Sequence, residues 1–137
     1  MKSGPMKVLI TIVTLILAGI LILFVGSVNV SITNNSVSVK GTFVSGTTIP
    51  LNEITSIEYV DSLDIGARQF GMGTYKMASG TYKNEKFGSY KLYSYSKVNA
   101  FVIIHYDDKI LVFNQSDVES TKKLYNQIKQ IKQIKAE

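Results

Sequence analysis

Two kinds of hydrophobic pattern divide the chain. From Val8 to Val25 there is no charged residue, and fourteen of the eighteen positions are Val, Leu, Ile or Phe, interrupted only by Thr11, Thr14, Ala18 and Gly19. Such a run reads as one continuous helix. At about 1.5 Å per residue it is about 27 Å long, and continuing to Val28 brings it to about 31 Å, a match for the ~30 Å hydrocarbon core of a bilayer. At roughly −0.3 to −0.6 kcal/mol apiece, the fourteen side chains favour insertion by several kcal/mol. The expected organisation is therefore a short N-terminus (1–7), a transmembrane anchor (8–28) and one domain (29–137). A cleaved signal peptide is the competing reading, but its hydrophobic region is usually ~7–15 residues long. The best cleavage candidate, Val25-Gly26-Ser27, is also a poor small-residue match.

Beyond residue 28 the period changes to two. Residues 28–33 (Val-Asn-Val-Ser-Ile-Thr) and 36–40 (Ser-Val-Ser-Val-Lys) alternate apolar with polar, as half-buried strands do. Asn34-Asn35 between them tolerates positive φ and predicts a tight hairpin. Residues 54–60, 90–95, 100–106 and 110–113 read as further strands, with Asp107-Asp108 turning the last two into a second hairpin. Between Asp61 and Gly88, glycines 66, 71, 73, 80 and 88 recur among polar and aromatic residues and predict bent or bulged strands. After Asn114 the period becomes about 3.6. Val118, Leu124, Ile128 and Ile131 form the apolar stripe of a helix over about 117–135, opened by Ser116 and Glu119 as a capping box. Lysines 122, 123, 129, 132 and 135 take the other face and suit the C-terminal end of the helix dipole.

Charge sets the orientation of the anchor. Lys2, Lys7 and the terminal amine precede the apolar run and no charge follows it until Lys40, so the positive-inside rule puts the N-terminus in the cytoplasm and the domain outside. Of the formal +5, those three lysines carry three charges, and the rest of the domain is too weakly basic to suggest nucleic acid. The chain has no cysteine, which excludes disulfides, thiolate nucleophiles and cysteine-ligated zinc.

The order of these pieces resembles the bacterial pleckstrin-homology-like domains of small membrane-anchored proteins. The resemblance covers essentially the whole chain. It is carried by Ile49-Pro-Leu-Asn-Glu-Ile54 leading to Ile57-Glu-Tyr-Val60, by Arg68 ahead of Gly71-Met-Gly73, and by Gly88-Ser-Tyr-Lys-Leu-Tyr93. Leu111-Val-Phe-Asn114 and Thr121-Lys-Lys-Leu-Tyr125 complete it. It implies a mainly-β fold: a bent antiparallel sheet, or partly open barrel, of about seven strands capped by the C-terminal helix. It also implies a module that binds rather than catalyses. Pleckstrin-homology domains that recognise phosphoinositides carry basic residues in the first hairpin loop. Here that loop is Asn34-Asn35, with no lysine or arginine until Lys40, so inositol-phosphate binding is not expected.

The residues themselves offer little chemistry. His105 is the only histidine, and the strand alternation puts it on a face with Phe101 and Ile103, as a strand-end residue rather than a base. Asp107-Asp108 lacks the ligand-spaced loop that a calcium site needs. Gly71-Met-Gly73 lacks the third glycine of a dinucleotide loop and the lysine of a phosphate loop. No catalytic residue, metal site or cofactor is expected. Arg68, the only arginine, could hold a carboxylate or phosphate by two parallel hydrogen bonds, or form an ion pair with Asp61 or Asp64. The most suggestive stretch runs from Tyr75 to Lys97, with tyrosines 75, 82, 90, 93 and 95, lysines 76, 83, 86, 91 and 97, and one acid, Glu85. On one face near a bilayer these would set rings at headgroup depth and lysines against anionic lipid. Alternating tyrosine and lysine is equally the pattern of a two-faced strand.

The candidate binding surface is therefore Arg68, Tyr75, Lys76, Tyr82, Lys83, Lys86, Lys91, Tyr93 and Lys97. The expected function is a non-enzymatic, single-pass membrane module that docks a protein partner, an anionic lipid or a wall polymer. The alternative is an assembly subunit, in which the apolar helix pairs with other membrane helices and the domain is a rigid spacer. Ala18-Gly19 offers only a small close-packing surface for that role.

Overall fold

A computed structural model describes residues 4–24 and 26–136. Lys2 of the orientation argument and Val25 of the cleavage candidate lie outside the described residues. Helix α1 (Gly4–Phe24) is long and apolar enough to cross a membrane, and none of its window Gly4–Leu21 is buried. Its two polar interruptions are satisfied internally. Thr11 Oγ1 donates to Lys7 O (2.9 Å) and Thr14 Oγ1 to Ile10 O (2.8 Å), so neither hydroxyl would be left unpaired in hydrocarbon. The helix starts four residues before Val8 and stops at Phe24. Val28, which the sequence places both at the end of the span and at the start of a strand, begins a strand.

Nine strands follow, rather than about seven. β1 (Val28–Ile32), β2 (Ser36–Gly41) and β3 (Thr47–Pro50) form one antiparallel sheet, and a single 3-10 turn, Leu51–Glu53, leads out of it. β4 (Ile54–Val60), β5 (Ala67–Gly73), β6 (Met77–Asn84), β7 (Gly88–Tyr95), β8 (Phe101–Tyr106) and β9 (Lys109–Phe113) form the second, ordered β4-β8-β9-β7-β6-β5. One pair departs from the antiparallel expectation: β7 runs parallel to β9, with Lys91 opposite Leu111 and Tyr93 opposite Phe113. Helix α2 (Val118–Ala136) closes the fold, and the two sheets do not join into a barrel.

The six-stranded sheet is covered on both faces, which explains the uninterrupted apolar run of β8. Val102 and Ile104 face the three-stranded sheet and α2, together with Val37, Val39, Ile49, Leu111, Phe113 and Ile128. Phe101 and Ile103 face the other way, into a second cluster with Tyr82, Tyr90, Leu92 and Val112, roofed by Leu63 and Ile65 of the segment before β5. Ile128 of α2 is fully buried, worth about 2 kcal/mol of apolar transfer, whereas Val118 on the expected stripe is exposed.

Both expected turns form, by different means. Asp107 and Asp108 take φ of 45° and 58°, the conformation a two-residue hairpin demands between Tyr106 and Lys109. Asn34 and Asn35 do not. The β1–β2 turn is held instead by Thr33 Oγ1, which accepts the N–H of Asn35 (3.2 Å) and of Ser36 (3.0 Å). The helix start also shifts. Asp117 rather than Ser116 is the cap, its carboxylate accepting the N–H of Ser120 at 2.6 Å, and hydrogen bonding to Ser120 holds its pKa below the ordinary carboxylate value.

Candidate docking surface

The β6–β7 hairpin holds most of the tyrosine and lysine residues singled out above, and burial separates the two kinds. Lys76, Lys83, Lys86, Lys91 and Lys97 are exposed, while Tyr82, Tyr90 and Tyr93 are buried. Tyr82 and Tyr93 therefore leave the expected binding surface: a side chain packed in the core of a two-sided sheet cannot lie on a membrane or partner. Tyr90 Oη donates to Ile65 O at 2.7 Å and its ring meets Phe87 edge-on at 5.3 Å, anchoring the segment that roofs the second core. Tyr93 joins the sheets. Its hydroxyl donates to Ser45 O (2.7 Å), which leaves its oxygen to accept from Thr47 Oγ1 (2.8 Å). Tyr95 is half-buried and accepts the Val28 N–H at 3.0 Å, and Tyr75 alone of the five is exposed.

Burial raises the pKa of Tyr82, Tyr90, Tyr93 and Tyr106 above the ordinary 10.0, most strongly for Tyr90. Arg68 partly offsets this at Tyr82, and the Thr47 hydrogen bond does so at Tyr93. A raised folded-state pKa contributes stability below the unfolded value, and that stability is lost as pH rises through the folded one. Unfolding free energy should thus fall from about pH 10 upward. Tyr90→Phe should shallow that fall, as read by denaturant titrations along a pH series. A stability flat across the alkaline range, or the same slope in Tyr90→Phe, would contradict it.

The remaining positions divide among four places. Lys83 and Lys86 sit at the far turn of the hairpin, with Lys86 Nζ 5.4 Å from the Phe87 ring centre. Lys91 Nζ donates to Thr81 Oγ1 (2.9 Å) at the edge of a cleft of about 650 Å³ between the sheets, which Glu53, Asp107 and Asp108 also line. Arg68 lies on β5. Its guanidinium occupies the space beside Gly73 and reaches Tyr82, and neither Asp61 nor Asp64 is its partner in any ion pair among the described residues. Tyr75, Lys76 and Lys97 gather at the opposite end of the hairpin, where Lys97 Nζ lies 4.3 Å from the Tyr75 ring centre. The structure thus does not assemble the nine residues into one site.

Two aromatics that the sequence reading passed over stand out more. Phe70 on β5 is 78% exposed and Phe43, in the β2–β3 loop at a φ of 65°, is 71% exposed. With Val44, Ser45, Arg68, Gln69 and Met72 they line a groove of about 640 Å³. One wall is the β2–β3 loop and the other is β5, which has a strand on one side only. The signal was available in Gly41-Thr-Phe-Val-Ser-Gly46, a bulky apolar pair in a loop punctuated by glycine.

His105 sits at a strand end as expected, half-buried, 3.9 Å from Glu58. Among the described residues no group of three His, Asp or Glu side chains is placed to hold a metal. A family model described as a bacterial PH domain matches residues 28–129. No curated protein and no solved structure matches the chain.

Proposed function

The chain belongs to the bacterial PH domain family, and from that premise we propose that it is a membrane-anchored docking module with no reaction of its own, held by α1 with its domain outside the cell. The domain takes a partner protein, or an anionic component of the envelope, in the groove between β5 and the β2–β3 loop. The observation that carries this reading is the pairing of an open strand edge with exposed Phe70 and Arg68. An edge strand offers a row of backbone N–H and C=O groups to an incoming extended segment, and the flanking side chains supply selectivity. Exposed aromatic surface beside a guanidinium is also the composition of binding hot spots. These features favour an extended protein segment as the occupant.

The absence of cysteine provides the test. Single cysteines placed at Arg68, Gln69 and Lys109 are reacted, on intact cells, with a membrane-impermeant maleimide carrying a photoreactive group, and the cells are then illuminated. The expected result is labelling at all three positions and a discrete covalent adduct from Arg68→Cys and Gln69→Cys only. Labelling that requires lysis would put the domain on the cytoplasmic side. Equal adducts from all three positions, or none from any on either side, would reject the groove as the docking surface.

A further inference from the structure

Three residues, 25–27, separate the end of α1 from the start of β1. Four Cα steps of at most ~3.6 Å bring Val28 within about 14 Å of Phe24. The 21 residues of α1 are about 31 Å long, so a retained α1 fills the hydrocarbon core and leaves Val28 close to the headgroup layer. Whatever is bonded to this tether is held at the membrane surface with it.

Three loops are held there, one by hydrogen bonds to the tether, one by packing on it and one through its neighbour. Ser27 N–H donates to Thr42 Oγ1 (3.0 Å) and Thr42 N–H to Ser27 O (3.2 Å), which puts Phe43 one residue from the tether. The Met77 thioether fills the space beside Gly26, and Met77 O accepts the Thr74 N–H (2.8 Å), which holds the Tyr75 turn there. Lys76 O in turn accepts the Ser96 N–H (2.8 Å), adding the loop with Lys97. Segments 40–46, 74–76 and 96–99 contain three lysines and no aspartate or glutamate, and the acids flanking this end come from other elements: Asp61 follows Val60, which pairs with Phe101, and Asp117 and Glu119 stand at the start of α2. Phe43 and Tyr75 are 71% and 61% exposed. The result is a rim of two outward rings and three ammonium groups, built onto the tether itself.

We infer that this rim rests on the bilayer that holds the chain, with Phe43 and Tyr75 at headgroup depth and Lys40, Lys76 and Lys97 against anionic lipid headgroups. Aromatic rings partition to this layer, and lysines near an anionic surface are drawn to it. The β1–β2 turn lies at the other end of β1 and takes no part. Docking of the rim orients the domain, so that the β5 groove opens along the membrane plane rather than away from it. The inference rests on the reading of α1 as a retained anchor, which a separate measurement in the same preparation tests.

The chain has no tryptophan, so single tryptophans report position. Full-length Phe43→Trp and Tyr75→Trp, with Lys86→Trp at the far turn as reference, are reconstituted into vesicles carrying acyl-brominated lipid. Flotation shows whether α1 inserts. The expected result is strong quenching of the first two in vesicles containing phosphatidylglycerol and weak quenching of Lys86→Trp. Adding Lys76→Glu and Lys97→Glu should lower the docked-to-undocked ratio about fivefold or more per lysine. Chains that float but quench no more at positions 43 and 75 than at 86 would overturn the inference with the anchor intact. Equal quenching in purely zwitterionic vesicles would overturn the assignment of anionic headgroups. Chains that do not float would remove the anchor on which both this inference and the docking reading stand.

Discussion

Gly80→Val should strip β5 from the sheet and cost about 3 kcal/mol or more in denaturant titrations of the full chain. Gly80 lies opposite Gly71 in the β5–β6 ladder, with φ of 132° and 122° respectively, backbone conformations that side chains rarely adopt. A Cβ on Gly80 would overlap the carbonyl oxygen of Phe70 and stand 2.7 Å from Gly71 Cα. One on Gly71 would overlap Ser79 O and stand 2.6 Å from Gly80 Cα. These are backbone atoms of the neighbouring strand, so no rotamer change can relieve the contact. Gly88→Ala is the control, because Gly88 also has positive φ, 70°, but has open space where a Cβ would go. It should cost only the conformational term, about 1–2 kcal/mol. The two substitutions costing the same would refute the close-approach argument. Because β5 forms one wall of the docking groove, Gly80→Val should also abolish the adduct from Arg68→Cys while leaving α1 in the membrane.

Asn114→Ala should be nearly as damaging, at about 3 kcal/mol, from a side chain smaller than any core aromatic. Asn114 is fully buried, and its amide accepts the Tyr95 N–H (2.7 Å) and donates to Tyr95 O and Val98 O (both 3.3 Å). It stitches the end of β7 and the loop after it to the junction between β9 and α2. Truncation leaves the Tyr95 N–H and Val98 O without this partner, and Tyr95 O with only the long bond from the Val98 N–H (3.4 Å); each unpaired group in a water-poor place costs about 1–3 kcal/mol unless water reaches it. Asn114→Asp keeps the acceptor but turns a carboxylate toward two carbonyls, and should not rescue. Hydrogen exchange localises the effect: the Tyr95 amide should lose protection before those of β8. A loss under 1 kcal/mol with Tyr95 protection intact would sink the account. Since Lys97 lies in the loop that Asn114 holds, Asn114→Ala should also weaken the lipid response of the tether rim.

The two substitutions illustrate different degrees of legibility. Glycines 71 and 80 are visible as a cluster and read correctly as marking irregular strands, with the bulge found between Arg68 and Phe70. That they face each other across a ladder depends on register, which short polar segments do not specify. Asn114 gave no signal of its importance, because an asparagine after a strand reads as a turn residue. Its three backbone partners lie sixteen and nineteen residues away.

The tyrosine and lysine stretch reads either as a two-faced strand or as one surface of both residue types, and burial takes Tyr82 and Tyr93 off that surface. Alternation told which residues share a face, but not which face is covered. Here the segment 61–66 supplies a second roof, through Leu63 and Ile65, and so takes Tyr82 and Tyr90 out of solvent. The exposed aromatics that remain, Phe43, Phe70 and Tyr75, come from three different loops or strands and share no local pattern.

What the sequence determined alone was whatever has a short physical range. The apolar run that fixes α1, the period-two strands, the Asp107-Asp108 turn and the 3.6-residue stripe of α2 all follow from neighbours a few positions apart. The order of those elements was enough to suggest the family. Only the tertiary structure decided which strand is left with an open edge, which tyrosines are internal, and which loops are held at the tether. Those properties depend on pairings between residues that are far apart in the chain, such as Val28 with Tyr95 and Gln115 with Val28. No local period encodes such pairings, because each is set by how two sheets and a helix pack together.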